Sequence, residues 1–207
     1  LKANGQQNLK QNKINKKFVY LISPDKIKDE KFYNTLALIL NSGKVSFFQL
    51  RIKKETDLNK LIIGRKIKKI CQKYKVKFLI NDDPLLAKKL NADGCHLGQK
   101  DMDLIKARKI LKNKIIGVTC HNSTELAKKA IEAGADYLAF GAFYASKTKI
   151  IKYRASLKIL KSVKKITPKP IVAIGGIKLN NYKKLLLNKA NFLAISGYIW
   201  NNKKYKP

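Results

Sequence analysis

The stretch Phe78 to Asp101, FLINDDPLLAKKLNADGCHLGQKD, narrows the possible folds more than any other part of the chain. Phe78, Leu79 and Ile80 form a short apolar run that stops at Asn81, Asp82 and Asp83. A helical pattern follows (Leu85, Leu86, Ala87, Leu90). Ala92-Asp93-Gly94 then turns the chain into a second run, Cys95-His96-Leu97, which ends in Gly98, Gln99 and Asp101. Strand, helix, strand is a right-handed crossover between parallel neighbours, and it places both polar exits on one rim. Asp83 sits where a helix N-cap belongs, and Asp101 stands before the next helix, so capping is the plain reading of each. Capping does not explain two successive strands that both end in acids. Asp82 and Asp101 are therefore expected to share a divalent cation. Two hard carboxylate ligands on Mg²⁺ leave positions for phosphate oxygens.

The same rhythm runs through the chain. Short apolar runs at 18–22, 45–50, 78–80, 95–97, 115–118, 137–140, 171–174 and 192–195 alternate with amphipathic segments. Runs without polar alternation are buried on both faces, as parallel strands are. Three helix exits are alike: Leu90 to Gly94, Ala133 to Tyr137 and Asn188 to Phe192. The expected fold is α/β, a single (β/α)8 barrel over residues 18–207. An open doubly wound sheet is the alternative, but Ser23-Pro24-Asp25-Lys26 after the first strand is no glycine-rich dinucleotide turn. Among the helices, the second is marked by Leu58, Leu61, Ile62, Ile63 and Ile67. Another should start at Asn122 or Ser123, with Glu125 forming a capping box with Asn122.

Residues 1–17 are polar and basic without apolar periodicity and read as a mobile tail. They lack the apolar centre of a secretion signal. The chain opens on Leu1 rather than Met, as a fragment or processed form does. No apolar run is long enough to span a bilayer. The net charge of +33, from 46 basic and 13 acidic residues, makes nucleic acid the competing class of partner. The basic residues are spread over every segment with no nucleic-acid-binding signature, so no specific nucleic-acid partner is expected. Cys71, Cys95 and Cys120 form no CxxC pair. They read as small buried hydrophobes in a reducing, cytoplasmic setting.

Nearly all chemistry-bearing residues follow strands: Gln49, Arg51 and Lys53; Asn81 and Asp82; Asp101; Thr119 and His121; Ser146, Thr148 and Lys149; Gly175 and Gly176; Ser196 and Gly197. In a barrel these loops open on one face. Arg51, Lys53 and Lys149 with the two acids suit a pyrophosphate bridged by metal. Gly175-Gly176 and Ser196-Gly197, after the last two strands, match the common barrel site for a monophosphate.

In their order, these residues make the chain resemble the thiamine phosphate synthase family. The motifs are QLR-x-K (Gln49 to Lys53), Asn81-Asp82 followed by HLGQ-x-D (His96 to Asp101), GV-[ST]-x-H (Gly117 to His121), the loop Gly141 to Lys149, and AIGGI (Ala173 to Ile177). The resemblance implies condensation of a hydroxymethylpyrimidine pyrophosphate with a thiazole phosphate. It implies Gln49, Arg51, Lys53, Asn81, Thr119 and Lys149 on the pyrimidine pyrophosphate. It puts Mg²⁺ on Asp82 and Asp101, and the thiazole phosphate on Ser146, Thr148, Gly176, Ile195 and Ser196, with Gly175 beside them. Lys149, Arg51 and Thr119 are the residues expected to act on the reacting groups. Ser146, Thr119 and Ala142 replace the family's usual Thr, Ser and Pro, and the segment after Lys149 lacks the usual Gly. The related thiazole tautomerase, which uses a His after the fifth strand, is the alternative within the fold, because His121 stands there.

Overall fold

The computed structural model describes residues 17–145 and 153–202. The expected tail therefore lies, apart from Lys17, outside the described residues. The elements alternate as the sequence predicts. They are β1 (Val19–Ile22), α1 (Glu30–Asn41), β2 (Val45–Leu50), α2 (Asp57–Lys73), β3 (Lys77–Asn81), α3 (Pro84–Lys89), β4 (Gly94–Leu97) and α4 (Leu104–Leu111). They continue with β5 (Ile115–His121), α5 (Thr124–Glu132), β6 (Tyr137–Phe140), α6 (Leu157–Ile166), β7 (Ile171–Ile174), α7 (Tyr182–Leu187), β8 (Phe192–Ile195) and α8 (Gly197–Trp200). Every strand pairs parallel with its sequence neighbour, and β1 pairs with β8 to close the barrel. Closure leaves no sheet edge.

Strand alternation divides the core in two. Residues facing outward from the strands, such as Leu21, Phe48, Phe78, Ile80 and Leu138, pack under the helices in the larger cluster. Residues facing inward fill the lumen, among them Tyr20, Leu79, Tyr137, Val172 and Ala194, with Phe47 and Phe192 packed against them. Cys71, Cys95 and Cys120 are buried free thiols, as expected.

Helix starts are fixed by short polar side chains. Asp29, Thr56, Asp83, Asp103 and Ser123 each accept a backbone N–H of the first turn. Such caps contribute about 1 kcal/mol each. Asp83 is thus a cap, while α4 is capped by Asp103, which frees Asp101 from that role.

One local expectation needs correction. Of the two residues expected to start α5, Ser123 caps it, and the Asn122 side chain accepts from Ser156 N at 3.0 Å. Glu125 pairs with the hydroxyls of Ser123 and Thr124, so no capping box forms with Asn122. Helix α2 buries Gly64, Ile67 and Cys71, and leaves Leu58 and Ile62 exposed. The inward face is set by close approach: a Cβ on Gly64 would stand 2.5 Å from Leu90 Cδ1. A glycine at the contact lets the α2 backbone come in, and the bulkier residues rotate outward.

Candidate active site

Strand β2 turns Gln49 inward, two residues beyond Phe47. Gln49 is only 2% exposed, and its amide nitrogen has no hydrogen-bond partner among the described residues. Leaving a buried amide donor unpaired costs about 1–3 kcal/mol, so such a group marks a place where a ligand completes the bonding. Past the strand end, Arg51 donates to Asp25 at 2.5 Å, and its backbone is pinned by the Ser23 hydroxyl.

The acids meet across β3 and β4. Asp82, the first residue after β3, has φ +64°. Its N–H donates to His96 O at 2.8 Å. The left-handed conformation is one that Asp tolerates, and here it turns the carboxylate toward the neighbouring loop. Asp101 folds back so that its carboxylate accepts Gly98 N–H at 2.6 Å. A side chain on Gly98 would crowd that carboxylate, at 2.9 Å. The Asp82 and Asp101 carboxyls act on one another across the two loops, and Lys53 Nζ lies 2.6 Å from Asp82 Oδ2. Burial pushes the Asp101 carboxyl up, and Asp82 pushes it further. Asp82 is drawn below the usual carboxylate range: burial is its largest single influence and opposes this, but Lys53 and Asp101 together prevail. A divalent cation offsets the repulsion between two neighbouring carboxylates, and two adjacent hard oxygen ligands fit Mg²⁺.

On β5, Thr119 Oγ1 lies 2.8 Å from His96 Nε2. Asn81 ends β3 in register with His96. His121 ends β5 with φ +53° beyond a register shift, and its ring stacks on Tyr153 at 4.1 Å. That stack is a loop-packing contact. After β7, Gly175 (φ +104°) and Gly176 (φ +60°) lie against the segment that follows β6. A Cβ on Gly176 would stand 2.3 Å from Ala145 O, and Tyr144 N–H donates to Gly175 O at 3.1 Å. Both glycines are needed for that approach. Ile195 ends β8, and Ser196 stands just before α8 with its hydroxyl donating to Ser23 O at 3.1 Å. Ser146, Thr148 and Lys149 lie outside the described residues. The strand ends thus bring Gln49, Lys53, Asn81, Asp82, Asp101 and Thr119 to adjacent places on one rim, with Gly175, Gly176, Ile195 and Ser196 around the barrel. Gly98, and the inward partners of Thr119, carry no role in the sequence reading; only the strand alternation around His96 signals them.

A closed parallel barrel with acids, cations and donors at the carboxyl ends of its strands is the plan of a (β/α)8-barrel enzyme, in which the loops carry the chemistry. The model of the thiamine monophosphate synthase family matches residues 19–199. The chain belongs to that family and is a transferase of thiamine biosynthesis. It is 85% identical over 199 residues to the thiamine-phosphate synthase of Pelagibacter ubique (strain HTCC1062), covering 96% of each chain. It is 40% identical over 185 residues to that of Rhodospirillum centenum (strain ATCC 51521 / SW), covering 89% of each. Among solved structures, thiamine phosphate pyrophosphorylase from Pyrococcus furiosus superposes with a TM-score of 0.79 at 28% identity, over 91% of this chain and 90% of that one. An N-acetylmannosamine-6-phosphate 2-epimerase from Clostridium perfringens, at 12% identity and a TM-score of 0.62 over 87% of each chain, shares the fold alone.

Proposed function

We propose that this rim condenses 4-amino-2-methyl-5-hydroxymethylpyrimidine pyrophosphate with 4-methyl-5-(2-phosphoethyl)thiazole, giving thiamine phosphate and pyrophosphate. The observation that carries the reading is the line Lys53–Asp82–Asp101 across the ends of β2, β3 and β4. It sets one cation beside two carboxylates, which suits recognition of a metal-bridged pyrophosphate. Asp82 and Asp101 would hold Mg²⁺, which when bound takes up charge developing on the departing pyrophosphate.

The chain's own residues bind and position. Gln49 offers its unpaired amide to the pyrimidine, with Asn81 beside it. Arg51, Lys53 and Lys149 face the pyrophosphate oxygens, and Thr119 adds a hydroxyl. Ser146, Thr148, Gly176, Ile195 and Ser196 hold the thiazole phosphate, with Gly175 shaping the turn. The C–O bond to pyrophosphate breaks with its electron pair leaving on oxygen. The electron-rich aminopyrimidine spreads the positive charge left on carbon, and the thiazole nitrogen lone pair forms the new C–N bond. No protein nucleophile takes part, in keeping with three buried thiols. Holding two substrates in line and stabilising a leaving anion supply the rate. The buried thiols also support the cytoplasm as the place of action, and the substrates are small molecules. No helix among the described residues is long and apolar enough to cross a membrane.

Asp82→Asn and Asp101→Asn test the metal pair. Each is expected to lower turnover by at least about 10²-fold, the scale of losing one positioned electrostatic group, and to shift the Mg²⁺ dependence to higher concentration with little change in thermal stability. Wild-type rates for both variants at limiting Mg²⁺ would rule the assignment out.

A further inference from the structure

A file of hydrogen-bonding groups runs from inside the barrel to the rim. Tyr20 Oη and Tyr137 Oη lie 2.8 Å apart, Tyr137 Oη lies 2.8 Å from His96 Nδ1, and His96 Nε2 lies 2.8 Å from Thr119 Oγ1. Tyr20 and Tyr137 are 2% and 3% exposed. The two rings stack, His96 on Tyr137, at 5.6 Å between centroids. Gly117 makes room for the arrangement, since a Cβ there would stand 1.8 Å from Tyr137 Cζ. One glycine of the GV-[ST]-x-H motif is thus spent on seating the tyrosine that holds His96.

The file has two possible directions, and they are not equivalent. If Thr119 donates to Nε2, then Nδ1–H donates to Tyr137 and Tyr137 donates to Tyr20. The Tyr20 hydroxyl proton is then left without an acceptor among the described residues, deep in the lumen. In the opposite direction Tyr20 donates to Tyr137, Tyr137 donates to Nδ1, and Nε2–H donates to Thr119. Every buried donor is then paired, and the one remaining proton is that of the Thr119 hydroxyl at the rim. A positively charged His96 would strand the Tyr20 proton as well. Both tyrosines are pushed up by burial and remain protonated. An unpaired buried donor carries the larger penalty, so the second direction prevails.

We propose that His96 is a positioning residue: held as the Nε2–H tautomer by Tyr137 and Tyr20, it fixes Thr119 as a hydrogen-bond donor toward the pyrimidine pyrophosphate. The inference rests on the reading of Thr119 as a substrate contact. A threonine free to rotate can accept or donate, whereas one that already accepts from Nε2–H presents its proton outward. That is the polarity a phosphate oxygen needs.

The chain has two histidines, so ¹⁵N-histidine NMR of the whole protein reads the tautomer directly, with a His121 variant for assignment. The expected signal for His96 is neutral imidazole protonated at Nε2; an Nδ1–H tautomer or an imidazolium at neutral pH overturns the inference. Turnover provides the second readout. His96→Leu removes the donor, whereas the amide of His96→Gln restores one near the Nε2 position. His96→Leu is expected to lose on the order of 10–100-fold, as supporting partners of site residues do, and His96→Gln clearly less. Equal losses would overturn the positioning role, since a merely structural histidine gains nothing from a donor at that atom. Thr119→Val separates the two layers. Wild-type turnover there overturns the substrate contact and the inference with it. A Thr119→Val defect alongside an Nδ1–H tautomer overturns the inference alone.

Discussion

On the proposed reading, Gln49 is a residue given to function rather than stability. Its side chain is buried in the lumen mouth, where an apolar residue of similar length would fold better, and its amide nitrogen is unpaired. Gln49→Leu removes that unpaired donor, which costs about 1–3 kcal/mol. The variant is expected to unfold at a higher temperature while its KM for the pyrimidine pyrophosphate rises by about tenfold or more. Thermal unfolding and steady-state kinetics on the same preparation check both halves. A lower melting temperature with unchanged KM would make Gln49 an ordinary core residue. At this scale the sequence was partly legible. Asp82, Asp101 and Gln49 stand at strand exits, where an acid or amide has few structural reasons to be. The file behind Thr119 was not legible, because Tyr20, His96 and Tyr137 lie on three different strands. Only barrel closure and the 2.8 Å spacings bring them together.

Among the elements, strands were easier to read than helix faces. A strand buried on both sides declares itself as an uninterrupted apolar run, and β2, β6, β7 and β8 have the predicted bounds. Helix α2 did not, because its buried face is chosen by Gly64 against Leu90 and not by its largest side chains. The capping box at α5 failed for a similar reason: Asn122 is engaged by Ser156, a partner that no local pattern reveals. Ser146, Thr148 and Lys149 follow β6 in the sequence, and chemistry distinguishes the roles proposed for them. Neutral hydroxyls suit a monophosphate that does not change during the reaction. The lysine charge suits a pyrophosphate that gains charge as its bond to carbon breaks. Lys149→Ala is therefore expected to lower turnover by about 10²–10³-fold, or roughly 2–4 kcal/mol. Thr148→Ala is expected chiefly to raise KM for the thiazole phosphate. Lys128→Ala, on the exposed side of α5, is the control for one lysine among many. Equal turnover of Lys149→Ala and Lys128→Ala at saturating substrate would remove Lys149 from the reaction.

At the scale of the whole molecule, the barrel separates two tasks. The lumen and the shell beneath the helices hold the fold, and the carboxyl ends of the strands gather groups that would repel or stay unpaired without a ligand. The net charge of +33 draws any small polyanion toward this surface, but it confers no selectivity. On the proposed reading, selectivity belongs to the line of Lys53, Asp82 and Asp101 and to the amide of Gln49. The central claim is that this rim joins the two thiamine precursors with a divalent cation between its acids. It is tested most directly by mixing the protein with purified pyrimidine pyrophosphate and thiazole phosphate and following thiamine phosphate and released pyrophosphate, first with Mg²⁺, then with excess chelator, then with Mg²⁺ restored. The account predicts the two products in equal amounts, their loss with chelator, and recovery when the cation returns. No thiamine phosphate in the presence of Mg²⁺, or formation that chelation leaves unchanged, would contradict it.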